Sequence, residues 1–215
     1  MTHDATLRGQ ALRYLGHRGQ ELGPELEARV DEACVRCESV ACPAVVRRTF
    51  GRGDLWLPGK DIDRHLAGAR EVVAFAATLG HDVDRELRRL GHVDPLGQVI
   101  FDAVATALVE RLANKTEASV RDEARARGMF CSWRFSPGYG DLPLDAQPGL
   151  LAALDATRRV GITLTASRLM VPTKSVTALM GVHPTPQPPP VSSCSLCGLS
   201  PYCDHRACAH ASPRP

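Results

Sequence analysis

The 215-residue chain has no apolar run near the roughly 20 residues that a membrane-spanning helix needs. Its first thirty residues are charged and lack the apolar core of a secretory signal peptide. The charges are nearly balanced, with 26 Lys and Arg against 24 Asp and Glu, so nothing indicates a nucleic-acid or membrane-surface partner. We therefore expect a cytoplasmic protein without a nucleic-acid or membrane partner.

The residues that are present predict an α+β protein, with helices packed on a mainly antiparallel twisted sheet. The length suffices for one core and a small appendage. Helical spacing of apolar residues, proline positions and short β-branched runs predict the individual elements. The expected helices cover Leu7–Leu15, a stretch that begins at Pro24, Asp61–Leu66, Asp82–Leu90, a long stretch that begins at Pro95, and Gly149–Arg159. For the long helix, Asp94 is the expected cap and Val99 belongs to the expected apolar stripe. The expected strands cover Val72–Ala77, Ile162–Ala166 and Ser175–Met180.

One octapeptide, residues 134–141, has the composition of a compact ligand pocket. It reads Arg-Phe-Ser-Pro-Gly-Tyr-Gly-Asp. Arg134 offers a planar fork for a carboxylate. The Pro137-Gly138 pair predicts a bend that lets the backbone approach a ligand, and Tyr139 adds an aromatic face with a polar tip. Taken alone, the eight residues also fit a solvated surface turn.

Several sequence blocks occur in a fixed order around this octapeptide. They are Leu-Pro-Gly-Lys-Asp-Ile at 57–62, Ala-Ala-Thr-Leu-Gly at 76–80, the octapeptide with Gln147 six residues beyond it, Gly-Ile-Thr-Leu-Thr-Ala-Ser at 161–167, Met-Val-Pro-Thr-Lys-Ser-Val at 170–176, and His183-Pro184. Together they resemble the activation domain of cobalamin-dependent methionine synthase in its freestanding form. The resemblance spans residues 57–184.

The resemblance implies binding of S-adenosylmethionine and docking over a corrinoid whose cobalt has been oxidised to the cob(II) state. A low-potential reductase such as flavodoxin or ferredoxin would supply one electron, and methyl transfer would then restore methylcobalamin. The sequence shows no homocysteine or folate module. The cobalamin would therefore belong to a separate corrinoid protein, such as a truncated methionine synthase without its own activation domain.

The resemblance also assigns roles to individual residues. Arg134 would grip the ligand carboxylate, and Phe135, Ser136, Pro137 and Gly138 would meet the adenosyl and amino-acid portions. Tyr139, the catalytic candidate, would lie beside the methyl group, between ligand and corrin. Glu110 on the long helix matches a family glutamate that would face the ammonium or sulfonium charge. An exposed Glu110 paired with a neighbouring Arg is the alternative.

Residues 185–193 read as a Pro-rich linker between the 1–184 domain and a Cys-rich tail at 194–215. The tail carries Cys194, Cys197, Cys203 and Cys208. In a cytosolic protein such spacing favours metal over disulfides, and either zinc or an iron–sulfur cluster fits four thiolates. A disordered tail with reactive thiols is the alternative.

A second cysteine group, Cys34, Cys37 and Cys42, is expected to pack in the core, because Cys37 lies on the apolar line of its helix. Redox chemistry or metal binding is the alternative for this group. Cys131 is expected in a strand.

Two readings of function follow. The first is a component of cobalamin-dependent methyltransferase activity that supports reductive methylation. The second is a non-enzymatic accessory of a corrinoid protein, or an electron-transfer subunit that uses a cluster in the tail. A zinc-tailed regulatory protein is poorly supported, because the chain has no nucleic-acid motif.

Overall fold

The computed structural model describes residues 6–187. Within them the helices are α1 (Leu7–Tyr14), α2 (Pro24–Val40), α3 (Lys60–His65), α4 (His81–Val93), α5 (Pro95–Ala126), α6 (Gln147–Leu154) and α7 (Ala156–Val160). The strands are β1 (Ala44–Phe50), β2 (Glu71–Thr78), β3 (Phe130–Cys131), β4 (Thr163–Leu164), β5 (Met170–Val171) and β6 (Ser175–His183). None of these helices combines the length and the apolar character needed to cross a membrane.

The main sheet has four strands in the order β1-β2-β6-β3, and β4 pairs with β5 in a separate ribbon. The pairing of β3 with β6 is antiparallel, with Cys131 opposite Val182. The central strands β2 and β6 are buried along almost their whole length, whereas only Val46 is buried in the edge strand β1. The predicted α+β class with an antiparallel sheet is therefore confirmed.

The described residues divide into two compact units. Unit 1 comprises residues 6–47, Phe75–Ala118 and Leu151–Thr177, and unit 2 comprises Arg48–Ala74, Ser119–Leu150 and residues 178–187.

The main core of unit 1 is formed by apolar side chains from α1, α2, α4 and α5. Its buried members are Leu7, Ala11, Cys37, Leu79, Val83, Leu87, Phe101, Val104, Ala105, Ala107, Leu108 and Val109. The long helix α5 begins as predicted, because the Asp94 carboxylate accepts a hydrogen bond from the Gly97 N–H at 3.0 Å. Val99 departs from the expected stripe, since it is 56% exposed.

Unit 2 packs α3 and the segment after β3 beside β6. Its fully buried side chains include Ile62, Phe135, Leu142, Leu150, Leu179 and Met180. Cys131 lies in β3, as predicted. The guanidinium of Arg121 donates to the Cys131 carbonyl at 2.8 Å and to the Ser132 carbonyl at 3.0 Å, so this single side chain holds the chain where it leaves β3.

Two predicted elements are wrong in their extent. The helix expected over Gly149–Arg159 is broken at Asp155, which has a left-handed backbone with φ +53° and separates α6 from α7. The strand expected over Ile162–Ala166 is reduced to the two residues of β4. The sequence reasoning did not predict β1.

Candidate functional site

The octapeptide begins as an extension of the sheet in unit 2. Phe135 exchanges two backbone hydrogen bonds with Leu179 of β6, at 2.9 and 2.8 Å. Three residues earlier, the Ser132 N–H donates to the Gly181 carbonyl at 2.9 Å, and the Gly181 N–H donates to the Ser132 hydroxyl at 2.8 Å. The amino-terminal end of the motif is thereby fixed to β6.

The predicted bend at Pro137-Gly138 is present. The Tyr139 N–H donates to the Ser136 carbonyl at 3.0 Å, and Gly138 has φ +93°. A positive φ at the third residue of such a turn is the conformation that favours glycine. The turn leaves Tyr139 52% exposed, at the surface of unit 2.

The carboxyl-terminal end of the motif is fixed to α3. One oxygen of the Asp141 carboxylate accepts from the Lys60 N–H at 2.7 Å, and the other accepts from the Asp61 N–H at 3.0 Å. These backbone hydrogen bonds, the one from Asp61 above all, lower the pKa of Asp141. The blocks at 57–62 and 134–141 are therefore in direct contact.

Aromatic rings pack behind the turn. The ring centroid of His65 lies 4.5 Å from that of Trp133 and 5.1 Å from that of Phe135. The Trp133 and Phe135 centroids are 5.5 Å apart, and Tyr139 lies edge-on to Phe135 at 6.2 Å. Tyr139 is thus the exposed end of an aromatic cluster whose centre, Phe135, is buried.

His65 and His183 are two imidazoles whose pKa is lowered in this part of the site. His65 Nε2 lies 3.0 Å from the Ser132 hydroxyl. Burial, with a smaller contribution from His183, lowers the pKa of His65 to about 4, against an opposing hydrogen bond to the Trp133 backbone. Burial also lowers the pKa of His183, whose Nε2 has no hydrogen-bond partner among residues 6–187.

The other predicted ligand residues differ in burial. Phe135 and Pro137 are buried, whereas Arg134 and Ser136 are half-buried. The N–H groups of Phe135 and Gly138 already donate to the carbonyls of Leu179 and Leu142, so neither N–H is available to a ligand in this conformation.

Glu110 is half-buried on α5 and belongs to unit 1. Its contact with a ligand remains a prediction.

The predicted metal ligands of the tail, Cys194, Cys197, Cys203 and Cys208, lie outside the described residues. Within residues 6–187 no three His, Cys, Asp or Glu side chains are grouped so that they could hold a metal ion. Cys37 is buried in the core of unit 1, as predicted, and burial raises the pKa of its thiol to about 12. Cys34 packs partly against that core, whereas Cys42 is exposed, contrary to expectation.

Two parts of the site were missed by reasoning from the sequence. His65 was expected only as part of a short helix, and Asp141 was quoted in the motif without a role. A signal existed for Asp141, because α3 is preceded by Gly59, which has no side chain to cap it. The sequence could not show that the missing cap comes from a residue 80 positions away.

Comparison with known proteins gives one family and one fold. The family model described as vitamin B12 dependent methionine synthase, activation domain, matches residues 62–202. Among solved structures, one described as the MetH reactivation domain bound to AdoHcy is similar, with a TM-score of 0.59 and 21% sequence identity. The similarity covers 82% of this chain and 70% of that chain, and at this identity it supports the fold alone. No curated protein matches the sequence. Because the family match covers well over half of its residues, the chain belongs to the family of vitamin B12 dependent methionine synthase activation domains.

Proposed function

We propose that this protein binds S-adenosylmethionine at residues 134–141 and supports reductive methylation of cob(II)alamin on a separate corrinoid protein. Methyl transfer from the sulfonium would leave S-adenosylhomocysteine, and the solved MetH reactivation domain is described as bound to AdoHcy. The corrinoid, reduced by one electron from a low-potential reductase such as flavodoxin or ferredoxin, would accept the methyl group.

One observation carries the proposal: the octapeptide is fixed at both ends, and its turn is held at the surface. Phe135 is bonded to β6 and Asp141 to α3. Between them, Gly138 and Tyr139 are exposed. A loop constrained in this way binds a ligand without first having to be ordered, which favours affinity.

The residues of the loop suit the parts of the ligand. The Arg134 guanidinium can pair with the carboxylate through two parallel hydrogen bonds. Tyr139 presents an aromatic face, and aromatic faces attract cations such as the sulfonium. We assign Tyr139 to orienting the methyl group, because positioning the reacting atoms is the main task a protein performs in such a transfer.

The partner in this proposal carries the corrinoid, since the family is named for a vitamin B12 dependent enzyme. A methionine synthase without its own activation domain is the partner we propose.

The tail cysteines, Cys194, Cys197, Cys203 and Cys208, would hold zinc or an iron–sulfur cluster. We favour the methyltransferase-supporting role over the accessory role, because Arg134 and Tyr139, the residues proposed to bind the ligand, both lie in the fixed loop.

The test of ligand binding is calorimetric titration of S-adenosylmethionine into the full chain. We expect saturable binding at one site, weakened about tenfold or more by Arg134→Ala, because charge-assisted hydrogen bonds each contribute about 1.5–3 kcal/mol. Arg134→Lys should recover only part of the loss, since a lysine keeps the charge but not the fork.

Arg127→Ala is the matched control, because it removes another guanidinium of unit 2, one that pairs with Glu71. It should leave the affinity unchanged. Absence of binding to well-folded wild-type protein would overturn the proposal, and equal weakening by both alanine variants would overturn the role of Arg134.

A further inference from the structure

We propose that Asp141 is a positioning residue, whose carboxylate holds the turn that carries Tyr139 against the first turn of α3. The expected effect of Asp141 on S-adenosylmethionine affinity rests on the proposed function, whereas the contact of Asp141 with α3 does not. Asp141 itself would not touch the reacting atoms.

The contact replaces a helix cap. The first N–H groups of a helix have no partner inside the helix, and a side chain just before it usually accepts from them. The residue at that position of α3 is Gly59, which makes no side-chain hydrogen bond. Asp141 supplies the acceptors instead, one carboxylate oxygen for Lys60 N–H and the other for Asp61 N–H.

Two glycines permit this close approach. A Cβ at Gly59 would lie 2.5 Å from Asp141 Oδ1, and a Cβ at Gly140 would lie 2.5 Å from Asp61 Oδ2. Both glycines also have a positive φ, +144° and +52°. The two segments thus fit together with glycine on each side of the contact, as expected where two chains must approach closely.

The contact bears on Tyr139 through the short loop that contains both residues. The Gly138 N–H donates to the Leu142 carbonyl at 2.8 Å, and the Leu142 N–H donates to the Tyr139 carbonyl at 3.1 Å. Asp141 lies inside this closed loop, two residues after Tyr139. Releasing Asp141 from α3 would leave the motif attached to β6 at Phe135 and the turn free to move.

The first experiment measures the position of Tyr139 without any ligand. The full chain is labelled with 3-fluorotyrosine, and the resonance of Tyr139 is assigned by its loss in Tyr139→Phe. In Asp141→Ala we expect that resonance to shift, together with faster hydrogen exchange at the amides of Gly138 and Leu142. The amide of Leu179, in β6, should stay protected and so report that the sheet is intact.

The second experiment repeats the S-adenosylmethionine titration on the same variants. We expect Asp141→Ala to weaken binding roughly fivefold, the equivalent of one lost helix cap. Asp141→Asn should lie between wild type and alanine, since an amide offers one acceptor oxygen where the carboxylate offers two. Asp63→Ala, which removes an exposed carboxylate from the same helix, should match wild type.

The outcomes separate the two proposals. An unchanged Tyr139 resonance and unchanged exchange in Asp141→Ala would overturn the positioning role. If Asp141→Ala releases the loop but binds S-adenosylmethionine as tightly as wild type, the contact between Asp141 and α3 does not matter for ligand binding. If wild-type protein does not bind S-adenosylmethionine, the proposed function fails, and the fluorine and exchange data still decide whether Asp141 places Tyr139.

Discussion

The imidazole of His65 shows how strongly surroundings determine a single residue. It packs against the rings of Trp133 and Phe135, and its Nε2 meets the Ser132 hydroxyl. The apolar surroundings disfavour the charged form, so the pKa falls to about 4. His65 is therefore neutral at physiological pH, and its protonation would place a charge behind the proposed ligand loop.

We predict that stability falls as the pH decreases through the range between the ordinary pKa of 6.5 and the folded value of about 4. In this window the unfolded chain binds a proton that the folded chain excludes, so acid favours unfolding. The expected contribution of His65 is about 2 kcal/mol, less than the full shift because part of the ring faces solvent. Urea unfolding at about pH 7 and pH 4.5 measures it.

His65→Gln is the control for this prediction, since glutamine can still hydrogen-bond to Ser132 but does not titrate. The variant should lose less stability than wild type between the two pH values. An equal loss in both proteins would show that other groups, such as His183, account for the acid sensitivity.

For single residues, the sequence predicted features that depend on neighbours along the chain. The Pro137-Gly138 bend followed from one octapeptide and is present in the structure. His65 and Asp141 could not be assigned in this way, because their environments come from segments that are distant in sequence.

Among the elements, α4 is tied to the segment that precedes β6 by a buried carboxylate. Asp84 accepts from the Thr173 N–H at 2.9 Å and from the Thr173 hydroxyl at 2.7 Å. Ser175, the first residue of β6, donates to the Pro172 carbonyl at 2.7 Å and lies 2.8 Å from the Thr78 hydroxyl. The block at 170–176 is thus explained by backbone and side-chain hydrogen bonds within unit 1.

We predict that Asp84→Ala destabilises the protein by about 2–3 kcal/mol, because it removes a buried charged acceptor and leaves the Thr173 N–H without its partner. The measurement is the free energy of unfolding in urea. Asp82→Ala is matched to it, since Asp82 lies on the same helix, is exposed, and pairs with Arg85 three residues further along. Its effect should be within about 0.5 kcal/mol. Similar losses in the two variants would contradict the assigned role of Asp84.

A helix or strand could be predicted where the residues that determine it are close together in the sequence. The start of α5 was predicted because Asp94 and Pro95 mark it directly. The break at Asp155 was not, since Asp155 adopts a left-handed backbone inside an otherwise helical pattern and pairs with Arg158 at 2.8 Å. The strand β1 was missed because an edge strand shows little alternation, and its Arg47 and Arg48 resemble a loop.

For the whole molecule, the family match extends beyond the described residues at its carboxyl-terminal end. It runs to residue 202 and so includes Cys194 and Cys197. These two cysteines belong to the predicted metal site.

We predict that the full chain purified without chelator contains about one zinc ion, or the iron and sulfide of one cluster, per molecule. Elemental analysis and the visible absorption spectrum distinguish the two. The double variant Cys194→Ser, Cys197→Ser should lose the metal, because it removes two of the four thiolates proposed as ligands. Cys42→Ser, which alters an exposed cysteine of unit 1, should retain it. A metal-free wild-type protein, or equal metal in both variants, would rule the site out.

The strand order has a consequence for how the chain is made. Among residues 6–187, β6 is the last strand in sequence, yet it lies between β2 and β3 in the sheet. While the ribosome is still adding residues 175–183, neither β2 nor β3 has its central neighbour, so both expose unpaired backbone groups. A nascent chain at this stage is open to association with other chains, and closure of the sheet must wait until β6 has been synthesised.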